Sequence, residues 1–264
     1  MAELPDVEIF KIYLQTTALN QKIAAIKKRD NPLLKGISFS DFQKELRGDS
    51  FEKVERRGSF LIISLKESSQ KLVFAFGTTG DLHYTRSEED FKKQDQYTKL
   101  IFSFDNGFEL RVTSIREQGA IYLVKDLKEV AAFDSLGESP LDIEKDSFLE
   151  LLTIKKEEVL KAFLMNDENL AGIGDVYSDE IAFQAGLDPQ RHVRSLSTKE
   201  RKTLFKTMRK VLTEAIEYTK KDSFPEFWLK EHLQDMVCPN NEKHHLNKEL
   251  VQGHRAVFCP DCQK

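Results

Sequence analysis

Leu170-Ala-Gly-Ile-Gly-Asp-Val-Tyr-Ser-Asp-Glu180 is the stretch on which the fold turns. Gly172 and Gly174, one residue apart, permit a tight turn and a close backbone approach, and the residues after them read as a helix beginning near Val176. Amides opening such a helix can donate to a phosphate. The same two glycines can instead close the preceding helix as a C-cap. That helix is Leu160-Lys-Ala-Phe-Leu-Met165, and Phe183-Gln-Ala-Gly-Leu-Asp-Pro189 follows the turn. Working outward, the periodicity is helical from about residue 142 to Leu233, with a long charged helix near Ser197–Tyr218.

The first half has a different rhythm. A helix is expected from Asp6 to about Leu19 and a short charged one over Ser40–Leu46. From Phe51 to about Val124, short apolar or alternating runs follow one another, among them Phe60–Leu65, Leu72–Phe76, Leu100–Phe104 and Ala120–Val124. Asp105-Asn106-Gly107 between two of them is the best hairpin signal in the chain. This half reads as an antiparallel sandwich. Ser135-Leu-Gly-Glu-Ser-Pro-Leu141 then separates it from the helices. The fold class is α+β, divided into residues 1–130 (sandwich), 131–144 (linker), 145–236 (helical) and 237–264 (Cys/His hairpin).

All three cysteines fall in that tail, spaced Cys238-x5-His244, or x6 to His245, and then Cys259-Pro-Asp-Cys262. A C-x2-C knuckle aims two thiolates at one ion from a tight turn, and a Cys and a His across a hairpin complete a closed tetrahedral set. That set suits one structural zinc ion per chain. The bland alternative is three reduced cysteines near a terminus. Either histidine can serve; His244 is nearer the first cysteine.

Bulk charge announces nothing: 40 Lys and Arg against 44 Asp and Glu give a net −4. From Arg191 to Lys210 eight cations face only Glu200, which reads as the solvated face of a helix. No apolar run approaches the ~20 residues of a membrane span, and no signal peptide is recognisable, so a cytoplasmic monomer is expected.

Four segments together resemble the bacterial formamidopyrimidine-DNA glycosylase and endonuclease VIII family. They are Ala2-Glu-Leu-Pro-Asp-Val-Glu8, Leu136-Gly-Glu-Ser-Pro-Leu141, the helix–turn–helix stretch above, and Phe258-Cys-Pro-Asp-Cys-Gln263. The resemblance implies an N-terminal β-sandwich, a helix–two-turns–helix domain and a zinc hairpin, all gripping damaged DNA. It implies that the residue exposed by loss of Met1 is the nucleophile, forming a Schiff base before β-elimination. Here that residue is Ala2, with Glu3 as acid–base partner. An α-amino group titrates near pH 8, so roughly a tenth is free base at neutrality. Arg116, Lys161, Gly174, Asp175, His254 and Arg255 match DNA-contacting positions, Arg255 standing one place beyond the usual arginine.

Several positions depart from the family. Ser59 replaces a lysine, Thr78 and Gln118 replace the void-filling and wedge residues, and Asp175 replaces an asparagine and is expected to cap the helix amides. These losses concentrate in lesion readout and base flipping. Two readings follow: a glycosylase or abasic-site lyase favouring abasic or single-stranded DNA, and a degenerate protein that binds damaged DNA without cutting it.

Overall fold

The computed structural model describes residues 2–29, 31–86 and 95–264. The chain divides into two compact units. One comprises the N-terminal Ala2 and Val7–Asp134, the other Glu3–Asp6 and Ser135–Lys264.

The first unit carries most of helix α1 (Leu4–Thr17), which begins two residues earlier than its apolar spacing predicts. The reason lies in the second unit, where Asp6 Oδ2 accepts from the Glu3 N–H at 2.8 Å and fixes the start. Nine strands follow among the described residues: β1 (Ile23–Lys28), β2 (Leu34–Lys35), β3 (Phe51–Arg57), β4 (Phe60–Leu65), β5 (Lys71–Ala75), β6 (Gly80–Arg86), β7 (Thr98–Phe104), β8 (Phe108–Ser114) and β9 (Ala120–Val124). They form two sheets, ordered β1-β7-β8-β6 and β2-β9-β5-β4-β3. Neighbours pair antiparallel except β2 with β9. Period-two alternation turns Leu61, Ile63, Leu72 and Phe74 toward Phe51, Phe102, Leu110 and Val112 in one core. Helix α2 (Phe39–Leu46) adds Phe42 and Leu46 to it, with the Ser38 hydroxyl accepting from the Asp41 N–H. The expected hairpin joins β7 to β8 through Asp105-Asn106-Gly107, and Asn106 Oδ1 accepts from the Phe108 N–H at 3.0 Å.

In the second unit, α3 (Lys145–Ile154), α4 (Leu160–Met165), α5 (Asp175–Ala185) and α6 (Thr198–Lys221) bury Phe148, Phe163, Ile181, Leu204 and Met208 around Trp228. Ser197 and Glu200 close a capping box at the start of α6. The tail contains a short ribbon, β10 (Val237–Cys238) with β11 (Asn241–His245), ahead of the hairpin β12 (Asn247–Val251) with β13 (His254–Phe258). No helix among the described residues is long and apolar enough to cross a membrane.

Candidate active site and metal centre

In the first unit the chain start meets the loop that carries Thr78, and that loop meets the one that carries Arg116 and Gln118. The Ala2 nitrogen donates to the Gly77 carbonyl. Thr78 Oγ1 is hydrogen-bonded to Gln118 Oε1, and the Arg116 N–H donates to Thr79 Oγ1 at 3.0 Å. The Arg116 side chain is exposed and has no ion pair among the described residues. Ser59 is buried at the β3–β4 turn. Met1 lies outside the described residues.

Glu3 lies in the second unit and is 4% exposed. Its carboxylate accepts from the N–H groups of Gly174 (2.8 Å), Val176 (2.9 Å) and Tyr177 (3.1 Å), while the Leu4 N–H donates to the Gly172 carbonyl at 2.8 Å. The first turn of α5 therefore has its donors taken by a residue more than 170 positions away. This corrects the expectation that Asp175 caps them. Gly174 is the N-cap and Asp175 the first helical residue; its side chain is 57% exposed and lies 3.9 Å from Lys161 Nζ. The C-cap reading of Gly172 and Gly174 also falls, since α4 ends at Met165 and a loop intervenes. In that loop Gly172 has φ +96° and its N–H donates to Asp167 Oδ1 at 2.8 Å. A Cβ on Gly174 would meet Glu3 Cδ at 2.6 Å, so glycine is required there for the carboxylate's seat.

Burial pushes the Glu3 carboxyl up to about 7, although the N–H groups of Val176, Gly174 and Tyr177 pull it back. Such a group holds both protonation states near neutrality, as an acid–base catalyst needs.

Lys161 requires a second correction. The resemblance implies a DNA contact for it, yet it is fully buried, with Nζ 2.7 Å from Asp179 Oδ1 and 2.9 Å from the Asp175 carbonyl. Asp179 Oδ2 accepts from the Val257 N–H at 3.0 Å, so the pair ties α4 and α5 to the hairpin. A side chain enclosed in this way cannot reach a phosphate without breaking that tie.

Glu180 is 1% exposed and pushed up to about 7 by burial. Only its Oε2 among its carboxylate oxygens lacks a hydrogen-bond partner. A carboxyl with a higher pKa folded than unfolded binds an extra proton only when folded. Its stabilisation is complete below 4.5 and lost as pH rises through about 7. Thermal midpoints should therefore fall between about pH 5 and pH 8, and Glu180→Gln should shrink that fall. An undiminished fall in the variant would assign the titration to other groups.

Cys238, His244, Cys259 and Cys262 bring their ligand atoms within 4.8 Å of one another. Cys238 Sγ is 3.7 Å from Cys262 Sγ, and His244 Nδ1 lies 3.4 Å from Cys262 Sγ and 3.9 Å from Cys259 Sγ. A tetrahedral ion with about 2.3 Å sulfur and 2.0 Å nitrogen bonds separates its ligands by about 3.5–3.8 Å, which these spacings fit. The cluster can hold a metal ion. His244 belongs to it and His245, the next residue on β11, does not, because successive strand residues face opposite ways. On the hairpin, Gln252 and Gly253 form a two-residue turn, after which His254 is half-buried and Arg255 exposed.

Nothing adjacent in the sequence marks Asp179 or Glu180 as buried carboxylates, whereas Asp6, three residues after Glu3 at a helix start, carries a local capping signal.

Residues 1–121 match the formamidopyrimidine-DNA glycosylase N-terminal domain family, and residues 136–224 match the formamidopyrimidine-DNA glycosylase H2TH domain family. A formamidopyrimidine-DNA glycosylase of Syntrophomonas wolfei is 29% identical over the full length of both chains. One from Arabidopsis thaliana is 30% identical, over all of this chain and 71% of that protein. The fold matches that of Lactococcus lactis Fpg in complex with abasic-site DNA, with a TM-score of 0.85, 22% identity and 99% of each chain covered. It also matches the same organism's protein in complex with FAPY-dG DNA, with a TM-score of 0.85, 23% identity, and 99% and 100% covered. The chain belongs to the formamidopyrimidine-DNA glycosylase family.

Proposed function

We propose that this chain is a DNA glycosylase and abasic-site lyase acting on damaged DNA through a Schiff base on the Ala2 amine. The observation that carries the reading is the seat of Glu3: a buried carboxyl, pushed up to about 7, bonded to the residue that would be the nucleophile. Removal of Met1, which a small second residue permits, frees the amine. The amine attacks C1′ of an abasic sugar, water leaves, and an imine forms. Loss of a C2′ proton then expels the 3′ phosphate by β-elimination. Protonated Glu3 donates during ring opening, and its carboxylate form takes a proton back.

Arg116 on the first unit, and His254 and Arg255 on the hairpin, are assigned to DNA. Gly174 contributes by seating Glu3, and Asp175 offers an exposed carboxylate beside that turn rather than a phosphate cradle. Thr78 and Gln118 are polar and bonded to each other, which supports a substrate needing no apolar wedge. Abasic duplex and single strands should thus be cut at least about tenfold faster than duplex bearing an oxidised purine. Strand-cleavage assays on the three DNAs test this; binding to all without cutting any would favour the degenerate binder.

Zinc held by Cys238, His244, Cys259 and Cys262 would be structural, cross-linking the β10–β11 ribbon to the knuckle after β13. Elemental analysis should find one zinc per chain, lost in Cys259→Ser together with order in the tail. Full zinc content in that variant would contradict the assignment.

A further inference from the structure

Folding sorts the basic run from Arg191 to Lys210 into two sets of cations. The arginines are engaged within the chain. Arg191 pairs with Glu200 at 2.7 Å, and Arg194 pairs with Glu157. Arg201 donates to the Leu196 carbonyl at 3.0 Å, and Arg209 lies over the Phe205 ring. Three of the four lysines lack such partners: Lys199, Lys202 and Lys206 are exposed and have no ion pair among the described residues. Lys210 is exposed as well, with a 3.9 Å contact to Glu214 and a 3.4 Å hydrogen bond donated to Gln184 Oε1.

Their spacing of three, four and four residues, at about 100° per residue, places these lysines within an arc of roughly 80° on α6. Leu204, Met208, Val211 and Leu212 occupy the opposite, buried side. The stripe is about 16 Å long at about 1.5 Å per residue. Like charges one helical turn apart destabilise a helix. Neighbouring carboxylates relieve only one end of the row: Glu157 and Glu200 are bound to arginines, and Glu214 faces Lys210 alone. A row of point charges, three of them without a carboxylate partner, on a chain of net −4 matches a phosphate backbone and lacks the fork that base reading uses.

We propose that the Lys199-Lys202-Lys206-Lys210 stripe is a sequence-independent contact for duplex DNA outside the segment that carries the lesion. The inference rests on the DNA-binding reading above and adds a second surface to it. Each phosphate contact changes the logarithmic salt slope by about 0.9.

The test compares the full chain with its Lys199→Gln/Lys202→Gln/Lys206→Gln variant. Glutamine forms helix about as well as lysine, so folding should be kept. Affinity is measured against salt for an undamaged duplex of about four helical turns and an abasic duplex of about one turn. On the long duplex the variant should lose roughly two to three units of slope and at least about tenfold in low-salt affinity. On the short abasic duplex it should stay within about twofold of wild type. An unchanged slope on long DNA would overturn the inference. So would an equal loss on the short duplex, which would make the stripe part of the lesion grip. Wild type that binds neither DNA would overturn the DNA-binding reading itself, and the stripe's role with it.

Discussion

Gly174→Ala should reduce cleavage of abasic DNA at least about a hundredfold, the low end of what a positioned acid–base group contributes. The added methyl would lie 2.6 Å from Glu3 Cδ and 2.7 Å from Oε1, inside any tolerable contact. Backbone holds the glycine on one side, so the carboxylate must leave. Glu3 then loses three N–H donors, and the first turn of α5 loses its only described side-chain acceptor. Burying unpaired donors costs about 1–3 kcal/mol each, less where water enters, so stability should fall by on the order of 2–4 kcal/mol. Two readouts separate chemistry from collapse. Thermal unfolding gives the stability loss, and the pH profile of β-elimination should lose its limb near 7. A folded variant with wild-type rate and profile would mean that the seat of Glu3 does not matter for the reaction.

Local signals were legible where a few adjacent residues determine the outcome. Asn106-Gly107 marks a hairpin, and Cys259-Pro-Asp-Cys262 marks a knuckle. Each works over one turn or one loop. Strand alternation turns His244 and His245 to opposite faces, but the sequence does not say which face of β11 meets the cysteines.

What stayed hidden is long-range. Glu3 reads as a helix-start charge, and nothing near it reveals that its acceptors meet amides at Gly174, Val176 and Tyr177. Asp175 was placed on those amides because asparagine and aspartate cap helices well; a carboxylate from the chain start had already filled the position. Lys161 looked like a free cation, since its partner Asp179 is 18 residues on and on another helix. The basic run misled in the opposite way. Composition treats arginine and lysine alike, whereas the arginine fork finds carbonyls and carboxylates inside the chain and leaves the lysines outside.

The central claim is that the Ala2 amine is the nucleophile. Ala2 lacks the ring nitrogen of proline, so its imine carries a positive charge only when protonated. A buried carboxyl near 7 on the adjacent residue is the group suited to manage that proton. The claim makes the amine indispensable: acetylation, or one extra residue ahead of Ala2, should reduce covalent capture to background, a loss of at least about a thousandfold. The most direct measurement is borohydride trapping on abasic DNA followed by mass mapping of the adduct. The expected adduct is a chain lacking Met1, with the reduced sugar linked to the Ala2 nitrogen and no other peptide modified. An adduct on a lysine, or trapping that persists with the amine blocked, would contradict it.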